Sequence, residues 1–516
     1  MNGAVQDCVD ISSIEAGVAR FGRGRYGHGV AILDIFAADA SLATADETTQ
    51  EEVLAGRAQF LNAQTAPFQV LVRAEPVDLD GHTRRVQGRV AHLPEPLANV
   101  ARDYVAFLAA LAQQRTLLER HCMVVLPDTT NAASTLWERC VSSLARLRKR
   151  QERPPGEQPD SVSAELARRL TARCDLVGRH LARSGLRTQR LDNRELAELL
   201  RRCWSADLAR VQRLRAELSA YTSVFVSGRQ SGRSQSGKPV RSVDTNDDSE
   251  RAQESDDDSR LFALGRRSLS DLIGPDSFDV RADHIRLDGQ YARVLAITGY
   301  PRLVTPGWLS VLVETDLPIE VSVHVRPLAS ADMVRALSLQ VARLQSSRLA
   351  QLRGERVADP EREIALEDAE RLRERLQRGE ERLFAVSIYL LLRARTRKDL
   401  DGLTRRVEEQ LDALLAHSRR ALWEQRQGFE SCLPTARDAL LIARNMDTNA
   451  LAASLPFVGP SLAMESGMLF GVATQTQAPV ILDPFDQSLD NANLVVVAPA
   501  GAGKSFTVNS WPFGNW

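Results

Sequence analysis

Lysine is nearly missing from this 516-residue chain: Lys149, Lys238, Lys398 and Lys504 are the only four, against 62 arginines. Such a skew reflects a coding bias toward arginine, so arginine abundance carries no nucleic-acid signal here. No excess of either charge exists, with 66 basic and 67 acidic residues and a formal net charge of -1. That excludes a generally basic nucleic-acid binder. Cysteine is sparse as well. Cys8, Cys122, Cys140, Cys174, Cys203 and Cys432 lie far apart and form no C-x-x-C pair, which argues against a zinc site and a disulfide framework and fits a reducing cytoplasm. No run of 18 apolar residues occurs, and no N-terminal stretch combines a basic start, an apolar core and a small-residue cleavage site. The expectation is a chain that neither crosses a membrane nor is exported.

What is present suits folding. Apolar residues make up 43% and charged residues 26% of the chain, near globular averages. At roughly 150 residues per domain the length suggests about three units. The clearest boundary is 227–260 (SGRQSGRSQSGKPVRSVDTNDDSERAQESDDDSR), almost free of apolar residues and closing on Asp256, Asp257 and Asp258. It cannot bury enough surface to offset its ordering entropy, so it reads as a disordered charged linker or a docking segment. A shorter segment, 151–161 (QERPPGEQPDS), reads as a loop broken by paired prolines.

The regions flanking the linker look like copies. RYGHGVAILDIF (25–36) parallels QYARVLAITGYP (290–301), matching Tyr26 with Tyr291, Ala31 with Ala296 and Ile32 with Ile297 at an offset of 265. PFQVLVRAEP (67–76) parallels PIEVSVHVRP (318–327) at 251, and ERHCMVV (119–125) parallels ERLFAVS (381–387) at 262. Three matches in one order at nearly constant offset suggest an internal duplication. VLVRA and EVSVHV alternate apolar and polar residues as half-buried strands do, whereas 136–150 and 400–415 have helical spacing. The expected unit is an α+β sandwich with an antiparallel sheet and helices on one face. Segment 359–382 carries opposite charges at i, i+3 and i+4, as a solvated or a partner-binding helix would.

Near the C-terminus, NANLVVVAPAGAGKSFTVN (491–509) places a short apolar run, 494–497, ahead of Ala498, Pro499, Ala500, Gly501, Ala502, Gly503, Lys504 and Ser505. This is a Walker A loop of the A-x-x-x-x-G-K-S form. The run suits a buried parallel strand, the glycines let backbone N–H groups converge on the β-phosphate, Lys504 reaches the β- and γ-phosphates, and the Ser505 hydroxyl ligates Mg²⁺. Of the four lysines, only Lys504 stands where a compact ammonium is required. Upstream, GMLFGVATQTQAPVILDPF (467–485) reads as a hairpin whose second strand runs over 479–482. Eight histidines show no H-E-x-x-H, and His28, His121, His180, His284 and His324 read as satisfied structural residues.

The order of 299–328 (GYPRLVTPGWLSVLVETDLPIEVSVHVRPL), ERLFAVSIYLLLRA (381–394), QRQGFESCLP (425–434), NMDTNALAASLPF (445–457), PVILDPF and the Walker A segment resembles the conjugative type IV secretion ATPase family, the TraC-like or fourth VirB component. The similarity is strongest from about Asp283 onward. It implies a cytoplasmic, peripherally membrane-associated motor at the inner-membrane face of a secretion channel, with channel components as partners and a homo-oligomeric full-length state. It also implies ATP and Mg²⁺ as cofactors of a RecA-like domain, with Gly503, Lys504 and Ser505 binding nucleotide; DNA binding is not evident. On this reading 1–226 is an N-terminal α+β domain, 227–260 the linker, 261–465 a repeat of the first domain, and 466–516 the start of a P-loop domain.

Only 11 residues follow Ser505, and Pro512 interrupts them. A Walker B acid, a water-orienting residue and an arginine finger are not among them, so the expectation is a truncated or frameshifted product, inactive alone. Rival readings are a DNA-pumping translocase of the FtsK or HerA kind and a non-enzymatic channel-assembly scaffold.

Overall fold

The computed structural model describes residues 9–22, 28–38, 46–77, 79–90, 94–114, 117–128, 159–205, 269–301, 304–315, 317–353, 360–457, 467–473, 478–483, 486, 495, 497 and 499–505. The linker 227–260 and the helical segment 136–150 lie outside them. Two compact units result, Met1–Glu75 with Arg120–Pro460, and Pro76–Glu119 with Ser461–Trp516.

Up to residue 205 the described elements run β1 (Ile11–Glu15), β2 (Val18–Phe21), β3 (His28–Ala38), α1 (Glu47–Ala63), β4 (Phe68–Pro76), α2 (Leu79–Val90), α3 (Glu95–Gln114), β5 (Leu118–Pro127), α4 (Pro159–Ala182), β6 (Leu186–Arg190) and α5 (Asn193–Trp204). After the short α6 (Leu269–Ile273) come β7 (Phe278–Val280), β8 (Ile285–Leu287), β9 (Gln290–Gly299), α7 (Ser310–Val313), β10 (Ile319–Pro327), α8 (Ser330–Arg353), α9 (Pro360–Arg378), β11 (Leu383–Ala394), α10 (Arg397–Ala413), β12 (His417–Arg420) and α11 (Gln425–Cys432). Both series read βββαβααβαβα. Then β13 (Arg444–Asp447), α12 (Thr448–Ser454), β14 (Met468–Val472) and β15 (Pro479–Leu482) follow.

Strands of both series share one sheet in the order β1-β2-β3-β5-β4-β10-β11-β9-β8-β7, with β6 beside β3, β12 beside β9 and β13 beside β11. The pairings for which a register is defined are all antiparallel. Apart from β13, the order is the same from either end. At its centre Leu71 of β4 pairs with Ser322 of β10, 251 positions later, the same offset that separates Pro67 from Pro318.

The match between β3 and β9 needs a correction of one residue. Ala31 pairs with Leu126 and Ile297 with Ile388, and Leu126 corresponds to Ile388 at the offset of 262. Ala31 therefore corresponds to Ile297, at 266, and not to Ala296. Burial agrees, because Ala31 and Ile297 share one core cluster while Ile32 and Ala296 share the other. A one-residue slip moves every side chain to the opposite face.

Helices cover both faces, not one. Phe60 and Leu61 of α1, Leu170 and Val177 of α4, Leu403 and Val407 of α10 and Leu451 of α12 pack with Val70, Val124, Val323 and Val386. On the other face Leu196 and Leu200 of α5 and Phe429 of α11 pack with Leu71, Val125, Val294 and Leu391. Sandwiched strands have no solvent side, which is why β11 is buried at ten consecutive residues. Gly428 fits α11 tightly to β9: a Cβ there would lie 2.9 Å from the Val294 side chain.

Helix starts follow local chemistry. Asp192 and Glu195 form a reciprocal capping box on α5, and Thr396 and Asp447 side chains accept from Asp399 and Ala450 N–H at the starts of α10 and α12. Helix α4 begins at Pro159, inside the segment expected to be a loop, with proline in the first turn that tolerates it. Helix α9 occupies most of 359–382 and carries Arg371–Glu367 and Arg378–Glu374 pairs on its flank, while Leu366 and Ala369 meet Val341 of α8. No helix among the described residues is long and apolar enough to cross a membrane.

Candidate functional site

Of the Walker A residues, Pro499 to Ser505 are described and Ala498 lies outside. Gly501 and Gly503 adopt φ of 83° and 86°, left-handed conformations that L side chains disfavour. A Cβ on either would meet nothing within 4 Å, so the requirement is one of backbone conformation and not of space. Such a turn lets neighbouring N–H groups point to one side as an anion nest. Ala502 N–H donates to the Pro499 carbonyl at 3.3 Å, and the Lys504 ammonium donates to that same carbonyl at 3.0 Å. Lys504 thus folds back across its own loop, and helical conformation begins at Lys504 and Ser505. Pro499 to Gly503 and Ser505 are exposed.

The strand expected over 494–497 does not form at its two described positions. Val495 and Val497 are in no strand and are 81% and 89% exposed. A parallel strand needs neighbours on both edges and cover on both faces, and none of the described strands pairs with either residue.

The hairpin expected upstream is present. Strands β14 and β15 pair antiparallel, Met468 with Leu482 and Val472 with Pro479. Gly467, at φ 113°, opens it where a Cβ would sit 2.3 Å from the Leu482 backbone. Within the same unit, Leu469 N–H donates to the Tyr104 hydroxyl at 2.9 Å, which also meets His82 Nε2 at 3.1 Å.

Sequence reasoning missed a buried ionic network in the main sheet. Arg73, on the β4 face that alternation assigned to solvent, donates to Glu320 of β10 at 3.1 Å and to Cys203 Sγ at 2.9 Å, and lies 3.1 Å from Glu75. Arg393 of β11 donates to the other Glu320 oxygen at 2.7 Å, and Arg202 to Glu75 at 3.1 Å. Burial alone would raise both carboxyls, yet Arg73 with Arg202 holds Glu75 at about 2, and Arg73 with Arg393 keeps Glu320 below the usual carboxylate range. The available signal was opposite charge at one place on two facing strands.

Beside this network, polar side chains of the sheet fasten the segment after α11. Gln69 donates to Ser322 Oγ at 2.9 Å and to the Leu433 carbonyl at 3.0 Å, and its oxygen accepts Ala436 N–H at 2.8 Å. The Ser387 and Tyr389 hydroxyls each donate to Asp438 at 2.7 Å. His324, whose pKa burial lowers, meets the Ser431 carbonyl at 2.7 Å, while His28 meets the Thr435 carbonyl at 3.0 Å and His284 meets Asp283 at 2.8 Å. These three histidines have structural partners. Cys122, Cys174, Cys203 and Cys432 are buried thiols, and the described residues contain no group of three or more potential metal ligands.

Two arginines hold the halves together reciprocally. Arg382, at the start of β11, donates to the carbonyls of Asn62 and Gln64 at the end of α1, both at 2.9 Å. Arg120, at the start of β5, donates to the carbonyls of Val313 and Thr315 at the end of α7. The donors are 262 positions apart and both pairs of acceptors 251 apart, the offsets of the flanking strands. No protein-family model matches the chain, and no curated protein matches it.

Proposed function

We propose that this chain is the assembly portion of an ATP-binding type IV secretion or conjugative-transfer motor, with two duplicated α+β halves followed by the phosphate-binding loop of a RecA-like domain. The observation that carries the reading is the pair of left-handed glycines, Gly501 and Gly503, immediately ahead of Lys504 and Ser505. ATP supplies the transferable phosphoryl group when bound. The loop's N–H groups would cradle its phosphates, Lys504 would exchange the Pro499 carbonyl for them, and the Ser505 hydroxyl is the Mg²⁺ ligand this loop would offer. Among the described residues no group of three or more potential metal ligands occurs, and phosphoryl transfer on this reading draws on groups beyond this loop to hold Mg²⁺ and orient water.

The duplication is supported by the repeated element order, the strand order common to both ends and the reciprocal arginines. By the resemblance, these halves assemble the motor against inner-membrane channel components on the cytoplasmic side, with the full-length protein oligomeric. A scaffold reading is favoured by one feature, the exposure of Val495 and Val497 where a buried strand would support the loop.

Calorimetric titration with Mg-ATP separates the readings. The expected result is affinity in the millimolar range, on the order of 4 kcal/mol, with no turnover above a Lys504→Ala control. Micromolar affinity or Lys504-dependent hydrolysis would show a self-sufficient site, and no binding at any concentration would favour the scaffold.

A further inference from the structure

We propose that the surface joining the two halves is self-complementary and that a second copy of this chain can close it in trans, residues 9–205 of one chain pairing with 269–457 of another in a domain-exchanged dimer. The reciprocity is the ground for this. Arg120 grips the end of α7 and Arg382 the end of α1, so each half offers its partner the same donor and accepts it at the same place. Five β4–β10 pairs run from Val321–Val72 to Val325–Phe68, centred on Val323–Val70 and including the Leu71–Ser322 pair of equivalents. An interface in which residue i meets j while j′ meets i′ is the isologous kind that closes two-fold dimers. Here it lies within one chain.

Every one of these contacts is the same whether the partner half lies in cis or in trans. The balance therefore rests on chain connectivity alone. Residues 206–268, which join the halves, number 63 and reach up to ~200 Å when extended, so covalent geometry permits either pairing. A connection of this length sets an effective concentration in the millimolar range. At ~100 µM chain, on the order of a tenth of the molecules should then be exchanged dimers, and at ~1 µM about a hundredfold fewer. This holds whether or not the chain binds nucleotide.

The test uses the full chain with a protease site inserted between Ser227 and Arg260. After unfolding and refolding at ~100 µM, the dimer is isolated and the site cut. The connections are all that hold an exchanged dimer together, so its mass should halve, with both fragments still in one complex. Absence of a dimer, or a dimer that keeps twice the chain mass after cutting, overturns the proposal. A second measurement avoids refolding: chains cut in the native state, one batch ¹⁵N-labelled, are mixed in sub-denaturing urea. Native mass spectrometry should find complexes with one heavy and one light fragment, and their absence would show that the halves do not interchange.

Discussion

Replacing Arg73 by alanine is expected to cost about 3–5 kcal/mol of stability at neutral pH, the largest effect of any single change proposed for the main sheet. Arg73 and Glu320 have side chains only 2% and 6% exposed, and Glu75 is 17% exposed. Removing the guanidinium leaves two buried carboxylates with one arginine each in place of two, Glu320 with Arg393 and Glu75 with Arg202. An Arg73→Met, Glu320→Leu double variant should recover only part of the loss, because Arg393 then loses its carboxylate and Glu75 one of its two arginines. The pH dependence distinguishes this from loss of packing. In the wild-type chain Glu75 titrates at about 2, below its ordinary value, and Glu320 is also lowered. Their contribution is therefore complete above the unfolded carboxylate range near 4.5 and lost as pH falls toward 2. In Arg73→Ala the same carboxyls are more easily buried once protonated, so the deficit against wild type should shrink between pH 7 and pH 4. Urea unfolding at the two pH values measures this, and a loss under about 1 kcal/mol at pH 7 would contradict the network's importance.

Arg120→Ala and Arg382→Ala should each lower stability by a similar amount, about 2–3 kcal/mol, the range for hydrogen bonds made by a charged group to partners left unsatisfied. Each change frees two carbonyls at the end of the other half's helix. Lysine at either position should rescue only part of the loss, since its ammonium lacks the fixed fork that spans two carbonyls. Chemical denaturation of the paired variants is the check. A large loss in one and none in the other would mean that the two clamps are not equivalents, and the two-fold account of the sheet would fail with them.

The sequence made several of these features legible, for identifiable reasons. The hairpin at 467–483 was marked by two apolar runs around a polar turn, and α10 by Leu400, Leu403, Val407 and Leu411 at helical spacing, all four buried. The paired prolines around β4 and β10 marked an offset of 251, which also separates Leu71 from its sheet partner Ser322, but not the pairing of the two strands. Identity misled at β3 and β9, because matching Ala31 to Ala296 ignores which face each occupies. Alternation misled at β4 and β10: Arg73, Glu320 and Ser322 looked solvent-facing but are buried, since helices on the second face enclose them and their polar groups have partners there. The apolar run at 494–497 looked like a buried strand from composition alone. Strand formation there depends on neighbouring strands, and none of the described strands pairs with Val495 or Val497.

The phosphate loop is the centre of the functional account, and glycine amides report on it directly. With ¹⁵N-glycine labelling, Mg-ATP titrated to ~10 mM should shift the Gly501 and Gly503 amide resonances with an apparent Kd in the millimolar range, and Lys504→Ala should abolish the shift. No shift of these two resonances, or an equal shift in the Lys504→Ala chain, would contradict the assignment of this loop as a nucleotide cradle.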